Sequence, residues 1–282
     1  MNTQVYLIKP FTNMHVGSGK ENTGIVDNTV QRDVLTNFPV INSTSLKGAL
    51  REYAEKGMKC PDADIEYVFG KGNRKKDGKE VDENKNIPGN FIFYSAHLLS
   101  IPARSDKFAF IHATCPQIIG DFLKQTELIG DVIEDKVKDA FTELLSIPFD
   151  SEDKKAICFD TKLEGTIVEF YNVKTSFNGK ISDENLSILK SWLGGDFVWL
   201  DNNTFKKNIV GKLPIIARNH LENGQSTNLW YEEIIPRETI FYTFISAPEG
   251  KLNKLELNKV VLQIGANASV GYGFSEIYIP IK

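Results

Sequence analysis

The chain has 282 residues, 41% of them hydrophobic, which is enough to bury a large core in a single domain. Its formal net charge of -4 excludes an overall basic field that draws the molecule to nucleic acid, so any anion site has to be local. Three cysteines without a C-x-x-C pair support neither a disulfide framework nor a zinc knuckle. With no signal-peptide pattern and no run approaching the roughly 18 apolar residues of a membrane span, we expect a cytoplasmic protein without membrane contact.

The N-terminal quarter of the chain predicts a strand followed by a helix. An apolar run over residues 4–8, ended by Pro10, predicts a buried strand. Apolar residues from Leu46 to Tyr53 recur at helical spacing and predict a helix that starts near Ser45. Between the two lies a long polar, glycine-containing segment.

The middle of the chain predicts one loop and two more helices. Residues 71–90 are rich in charge, glycine and asparagine, which predicts an exposed, mobile basic loop. Helical spacing predicts helices over residues 131–147, ended by Pro148, and over residues 182–193, with Ser182 as the N-cap. Aromatic and β-branched runs predict strands, namely FIFYSAHLL, AICF, TIVEFYNV, TIFYTFI and VVLQI.

One pair of runs predicts a β-hairpin. IIARNHL and STNLWYE flank the turn dipeptide Asn223-Gly224, and both turn residues tolerate the positive φ of a type I′ turn. We therefore expect a projecting hairpin over residues 213–234. Mixed helices and strands, with a strand at each end of the chain, favour an antiparallel-sheet α+β fold.

The segment from His15 to Asp33 contains the first candidate site. Gly17 and Gly19 allow a backbone to approach a phosphate closely, and His15, Lys20 and Asp27 add titratable groups beside them. On the local pattern alone an ordinary structural role is favoured, in which the glycines make a tight turn and Asp27 caps another. The remaining histidines offer no metal-binding pair, and His97 and His112 lie in strand contexts typical of structural residues.

Two further segments predict anion binding. Ser45 at a helix start, with Lys47 and Arg51 four residues apart and Gly48 between them, favours a phosphate at the free N–H groups of the first turn. The alternative is a capped amphipathic helix with solvated charges. Glycines 265, 271 and 273 follow an apolar strand, but their spacing is not that of a nucleotide-triphosphate loop.

Taken in order along the chain, eight motifs resemble one family. They are HVGSG (15–19), GIVDN (24–28), VQRD (30–33), FPVI (38–41), SLKGALR (45–51), VFG (68–70), LWYEEIIP (229–236) and QIGANASVGYGF (263–274). The combination resembles the RAMP superfamily of CRISPR effector subunits. More narrowly, it is similar to the backbone subunit of the type III-B, Cmr-type complex.

The resemblance implies a fold and an assembly. The fold is a ferredoxin-like, RNA-recognition-motif-like β-α-β-β-α-β core with large insertions and a projecting β-hairpin thumb, for which the hairpin at 213–234 is the candidate. Copies of the chain would stack head to tail along a CRISPR guide RNA, together with other Cmr-type subunits. The complex would cut complementary target RNA at six-nucleotide intervals.

The resemblance also implies site residues. The cleavage residue of the family is an aspartate in the loop after the first strand, and Asp27 occupies that position. From side-chain chemistry we expect Asp27 to hold Mg²⁺ or another divalent cation, with direct general-base action as the second possibility, and His15 and Glu232 to act as helpers. An aspartate with an ordinary pKa of about 3.9 is a poor base near neutral pH but a good oxygen ligand for such an ion. The predicted RNA-binding residues are Gly17, Gly19, Lys20, Arg32, Ser45, Lys47, Gly48, Arg51, Arg218, Gly265, Gly271 and Gly273.

Two other readings of the sequence stay open. One is a guide-binding subunit that cuts nothing, and the other is a stand-alone endonuclease of the same superfamily that processes CRISPR RNA. Because the chain is acidic overall, RNA binding also requires the predicted basic side chains to converge on one groove.

Overall fold

The computed structural model describes residues 1–20, 25–71, 87–130, 132–149, 156–169 and 173–280. The strands in these residues are β1 (Asn2–Pro10), β2 (Gly17–Lys20), β3 (Asn28–Val30), β4 (Val40–Ile41), β5 (Gly70–Lys71), β6 (Ile87–Pro88), β7 (Ile92–Phe93), β8 (Ala96–Ala103), β9 (Ile111–Thr114), β10 (Ala156–Cys158), β11 (Ile167–Val168), β12 (Val173–Lys174), β13 (Ser176–Phe177), β14 (Phe197–Leu200), β15 (Ile215–Glu222), β16 (Gln225–Glu233), β17 (Ile240–Ala247), β18 (Val260–Gln263) and β19 (Phe274–Tyr278). The helices are α1 (Ser43–Lys56), α2 (Asp62–Phe69), α3 (Pro116–Ile129), α4 (Asp135–Leu145), α5 (Asp183–Leu193) and α6 (Asn202–Thr204).

A large central sheet organises the fold. Its strand order is β13-β10-β14-β9-β8-β17-β1-β19-β18, with β4 added on β8 and β7 on β17. Every residue of β17 is buried, because the sheet is covered on both faces and alternation of apolar and polar residues is not required there. The α+β class predicted from the sequence is confirmed.

Four strands form the middle of this sheet in the order β19-β1-β17-β8, all antiparallel to their neighbours. Helix α1 lies on the connection between β1 and β8. The connection between β17 and β19 contains β18 and two short 3₁₀ turns and no α-helix in residues 248–273, all of which are described. The second crossover therefore differs from the one expected for a β-α-β-β-α-β core.

The helices agree with most of the sequence predictions. Helix α1 begins two residues earlier than expected, with Asn42 as its N-cap, so that Ser45 lies inside the first turn. Helix α5 begins after Ser182, whose Oγ accepts a hydrogen bond from Asn185 N at 3.2 Å. Helices α2 and α3 were not predicted, although Pro116 at the first position of α3 is a helix-start signal.

A second, four-stranded sheet has the order β15-β16-β3-β2. The predicted hairpin is confirmed as β15 and β16, and Asn223 (φ 50°) and Gly224 (φ 80°) form its turn. The strand residues on both sides of the turn, 219–222 and 225–229, are all exposed, so the hairpin projects from the core.

Two expectations from the sequence concern the basic loop and membrane contact. Most of the predicted basic loop, residues 72–86, lies outside the described residues, and its ends pair as β5 and β6. None of the helices in the described part of the chain is long and apolar enough to cross a membrane.

Candidate active site

Asp27 is attached to the hairpin by a reciprocal pair of hydrogen bonds. Its backbone N–H donates to the Tyr231 carbonyl oxygen at 3.0 Å, and the Tyr231 N–H donates to Asp27 Oδ2 at 2.8 Å. In the next position Asn28 and Glu232 pair in parallel register. Two motifs that lie about 200 residues apart in sequence therefore form one exposed edge, on which the Asp27 carboxylate is accessible to solvent.

Glu232 connects three segments at this edge. Its Oε1 accepts hydrogen bonds from Asn28 Nδ2 (3.3 Å) and Trp230 Nε1 (2.9 Å), and its Oε2 accepts from Arg218 Nη1 (3.1 Å) and Asn267 Nδ2 (3.0 Å). Burial raises the pKa of Glu232, but the Trp230 and Arg218 donors outweigh burial and place that pKa below its ordinary value. The predicted helper is thus a buried, ionised hydrogen-bond acceptor that fixes Asn28, the neighbour of Asp27.

His15 is held with one ring nitrogen toward the hairpin. Its Nδ1 lies 2.7 Å from the Glu233 carbonyl oxygen, which can only accept, so the proton is on Nδ1 and a neutral ring has its lone pair on Nε2. A side chain at Gly17 would meet Nε2 at 3.0 Å. Gly17 therefore leaves this side of Nε2 uncovered, although His15 as a whole is buried.

The predicted arginines are neutralised within the chain. Arg32 Nη2 contacts Glu233 Oε1 at 2.5 Å, Arg51 Nε contacts Glu55 Oε1 at 2.9 Å, and Arg218 contacts Glu232. Arg32 and Arg218 bind successive residues of β16, Glu233 and Glu232, whereas Arg51 lies on α1 and also donates to the Gly70 carbonyl oxygen. All three arginines bind carboxylates, and the expected convergence of Arg32, Arg51 and the predicted lysines on one groove stays a prediction.

The other predicted basic residues are lysines. Lys47 Nζ lies 5.8 Å from the centre of the Phe93 ring, an arrangement that holds its side chain against the core by a cation–π contact. Lys20 ends β2, and its side chain lies outside the described residues.

Gln31 joins the glycine loop to α1, a link that the sequence analysis missed. Its Nε2 donates to the Gly17 carbonyl oxygen (3.2 Å) and to Ser45 Oγ (3.0 Å), and its Oε1 accepts from Asn42 N (2.8 Å). Ser45 therefore contributes to the connection between β3 and α1. In the sequence, the only sign of this role is that the polar Gln31 follows the apolar Val30.

The predicted glycines fall into two groups. Gly265 has a φ of +93°, and a Cβ there would lie 2.4 Å from the His15 carbonyl oxygen, while one at Gly273 would lie 2.0 Å from the Ile264 carbonyl oxygen. Gly265 therefore allows close backbone packing against His15, and Gly273 allows it against Ile264. Around Gly19, Gly48 and Gly271 no described atom outside the adjacent residues and the local helix backbone lies within 4 Å of an added Cβ, so packing contacts do not explain these three glycines in the described part of the chain.

The donors around Asp27 suit a transient metal ion rather than a resident one. Across the part of the chain that the structure describes, no group of three His, Cys, Asp or Glu side chains could hold a metal. Asp27 supplies a single exposed carboxylate, of which Oδ2 already accepts from Tyr231. Mg²⁺ is commonly held in this way, by one or two carboxylates together with substrate phosphates and water.

Comparison with known proteins places this geometry in a family. The model of the RAMP superfamily matches residues 7–276. The chain is 30% identical to the CRISPR system Cmr endoribonuclease Cmr4 of Pyrococcus furiosus, over 97% of this chain and 95% of that protein.

Solved structures show the same fold. A subunit of the type III-B Cmr-beta complex bound to cognate target RNA superposes with a TM-score of 0.77 at 21% identity, covering 99% of this chain and 97% of that one. Oligomeric Cmr4 from Pyrococcus furiosus superposes with a TM-score of 0.69 at 24% identity, covering 99% and 98% of the two chains.

Proposed function

The chain belongs to the RAMP superfamily and, within it, to the Cmr-type subunits of type III-B CRISPR effectors, and on this premise we propose that it is their guide-RNA-binding backbone subunit. In this role its copies stack head to tail on a CRISPR guide RNA beside other Cmr-type subunits. The assembly cleaves complementary target RNA at six-nucleotide intervals. The endoribonuclease named in the Pyrococcus relative supports the cleavage activity.

The proposal includes a ferredoxin-like core. The order β19-β1-β17-β8, with α1 on the first crossover, is that of the four strands of such a sheet. In this chain β18 and short turns take the place of the second helix. The hairpin of β15 and β16 then projects from the core as the thumb.

The position of Asp27 is the observation that carries the cleavage assignment. Its exposed carboxylate is fixed to Tyr231 at the base of the projecting hairpin. A duplex that met the hairpin would therefore present its backbone to Asp27. Cleavage needs the attacking oxygen in line with the leaving 5′-oxygen, an alignment that an A-form strand lacks and a kinked strand permits, so most of the rate gain comes from positioning.

Individual residues then have distinct roles. Asp27 orients the RNA at the scissile phosphate. It would also hold a divalent cation, which would neutralise charge at that phosphate. His15 offers the Nε2 lone pair as a proton acceptor, with the Glu233 carbonyl fixing its tautomer. Glu232 acts as a positioning residue through Asn28.

Two substitutions of Asp27 test the assignment. Asp27→Asn keeps an oxygen that can accept from the Tyr231 N–H but removes the charge, whereas Asp27→Ala removes both. In the assembled, guide-loaded complex we expect both variants to bind target RNA like wild type and to cut it at least about 100-fold more slowly, as expected for loss of a group that acts at the reacting centre. Unchanged cutting at regular intervals by Asp27→Asn would overturn the role of the carboxylate.

The hydrogen bond to Tyr231 also supports a second candidate, a guide-binding subunit in which Asp27 only fastens β3 to the hairpin. Under this alternative Asp27→Asn behaves like wild type in every assay, and Asp27→Ala weakens target binding. A stand-alone processing endonuclease would instead cut precursor guide RNA as the isolated chain, with no target present.

The metal is tested separately. We expect EDTA to abolish target cutting by the wild-type complex and added Mg²⁺ to restore it, with target binding unchanged. Full cutting in EDTA would show that Asp27 acts without a metal.

A further inference from the structure

The arginines predicted to bind RNA cannot supply most of the charge that RNA binding needs. Arg32, Arg51 and Arg218 each contact a glutamate, and the chain as a whole is acidic. Phosphate contacts give most of the affinity of a protein for a nucleic acid backbone, and each needs a cation that is not already neutralised. Cations without a carboxylate partner near the hairpin are therefore candidates for phosphate contacts.

A short helical segment between β14 and the hairpin presents two of them. Residues Phe205–Ile209 form a π-helical turn, a rare element that frequently marks functional sites. Lys206 and Lys207 on this turn are both exposed. Within the described residues, neither lysine is paired with a carboxylate.

The turn is held rigidly against the candidate site. Phe205 is fully buried and packs edge-on against Phe38, with 5.5 Å between ring centres. Arg32 Nη1 donates to the Val210 carbonyl oxygen at 3.0 Å while Arg32 Nη2 holds Glu233 of β16. A guanidinium thus ties the turn directly to the sheet that carries Asp27.

The backbone of the turn has little freedom to change. Asp201 caps the preceding α6 by accepting from Asn203 N and Thr204 N. At Gly211 an added Cβ would lie 2.7 Å from the Lys206 carbonyl oxygen, so the chain after the turn folds back closely upon it. The backbone that carries Lys206 and Lys207 is therefore closely packed, while their side chains are exposed.

We propose that Lys206 and Lys207 bind phosphates of the RNA backbone at the base of the hairpin. The inference rests on the proposed function and adds to it a site on the π-helical turn. An acidic protein surface is the less suitable partner, because lysine is depleted in protein–protein interfaces, whereas its ammonium binds phosphate well as a point charge. The shared ligand chemistry is the RNA phosphodiester, from either the guide or the target strand.

A charge-reversal pair with a matched control tests the site. Lys206→Glu with Lys207→Glu is compared with Lys136→Glu with Lys138→Glu, which makes the same charge change on exposed residues of α4. Lys206→Gln with Lys207→Gln is the milder version, and all proteins carry Asp27→Asn so that bound target is not cut. Thermal melting first confirms that each variant is folded.

The readout is the slope of log binding constant against log salt concentration in two arms. One arm measures guide RNA binding to the chain, and the other measures target RNA binding to the guide-loaded complex. The slope is negative, and for two lost phosphate contacts we expect its magnitude to decrease by about 1.5 to 2 in one arm, for the π-turn variants alone. The arm in which it falls identifies the strand.

Two results would overturn the inference while leaving the proposed function intact. Slopes equal to those of the α4 control in both arms would show that the lysines contact no phosphate. Loss of self-association measured without RNA by light scattering, with unchanged slopes, would assign them to a protein contact. A wild-type chain that bound neither RNA would instead refute the proposed function itself, and this inference with it.

Discussion

The two main sheets of the molecule are stabilised in different ways. The central sheet is built from apolar strands such as β17, in which every residue is buried. The sheet of β15, β16, β3 and β2 is largely exposed and is joined at its inner end by polar groups around Glu232. Apolar burial is summed over many residues, whereas a hydrogen-bonded cluster depends on each member.

This difference predicts that the central sheet determines the stability of the domain, whereas the cluster around Glu232 determines the position of Asp27. Loss of apolar packing in the central sheet destabilises the whole domain and removes the support of the hairpin sheet with it. Loss of one acceptor at Glu232 misplaces Asn28 and Asp27 while leaving the central sheet intact. Substitutions in the two sheets should therefore give different combinations of melting temperature and cutting rate.

Phe122→Ala is expected to have the largest effect. Phe122 is fully buried on α3, and its ring centre lies 4.9 Å from those of both Phe141 and Tyr242. Truncation of a buried phenylalanine costs about 3–5 kcal/mol, since the cavity left behind cannot close fully. Urea unfolding should show a lower midpoint, with cutting lost only where the variant is unfolded.

Leu128→Ala is the matched control for this prediction. Leu128 lies on the same helix but is 76% exposed. Its truncation should change the free energy of unfolding by no more than about 0.5 kcal/mol. A comparable loss in both variants would show that the packing of α3 does not depend on its buried face.

Glu232→Gln is expected to affect the hairpin sheet alone. An amide keeps one acceptor oxygen and turns its NH₂ group toward two donors, so two of the four hydrogen bonds are lost in either orientation. A lost hydrogen bond to a charged group such as Arg218 costs about 1.5–3 kcal/mol. Cutting should slow by about 10- to 100-fold, and the melting temperature should fall by less than it does for Phe122→Ala.

Glu222→Gln makes the same chemical change at the tip of the same hairpin, where the side chain is 67% exposed. It should leave both the cutting rate and the melting temperature at wild-type values. A fall in melting temperature for Glu232→Gln as large as that for Phe122→Ala would show that the two sheets are not separable.

The hairpin illustrates what the sequence could predict. Asn223-Gly224 between alternating runs is a local signal, because the type I′ turn demands particular residues at these two positions. Helix α5 was equally local, with Ser182 as its cap. The order of strands in the central sheet was not predictable from such signals, since β1 pairs with β17 across more than 200 residues.

The residues of the candidate site were named from the sequence, but their pairing was not. The motifs around Asp27 and Tyr231 were both recognised, yet only the structure shows that they bind each other. The arginines were assigned to RNA because a sequence displays each charge but not its partner. Glu55 and Glu233, which neutralise Arg51 and Arg32, are four and about 200 residues away respectively.

A fall in pH should destabilise the central sheet selectively, and by less than Phe122→Ala does. Burial lowers the pKa of His112 on β9 to about 4, with Lys9 acting in the same direction and Glu238 and Asp196 opposing it. Burial likewise lowers the pKa of His97 on β8, against the opposing charges of Asp33 and Asp121. His112 Nδ1–H donates to Ser100 Oγ, whose hydroxyl donates to the Leu193 carbonyl oxygen. The buried Nε2 has no hydrogen-bond partner among the described residues, so a proton added there would be left unsatisfied and the neutral ring is favoured.

The depressed folded-state pKa of His112 fixes the direction of this effect. Well above pH 6.5 both the folded and the unfolded ring are neutral, and as the pH falls toward 5 almost only the unfolded ring takes up a proton. Between pH 7 and pH 5 the free energy of unfolding should therefore drop by about 2 kcal/mol from His112 alone. Glu232, with its pKa below the ordinary value, stays ionised in this range, so the hydrogen bonds around Asn28 persist. Urea unfolding of wild type and of His112→Leu at the two pH values measures the difference. The free energy of unfolding of the variant should depend less on pH than that of wild type, and equal pH dependence in the two proteins would contradict the assignment.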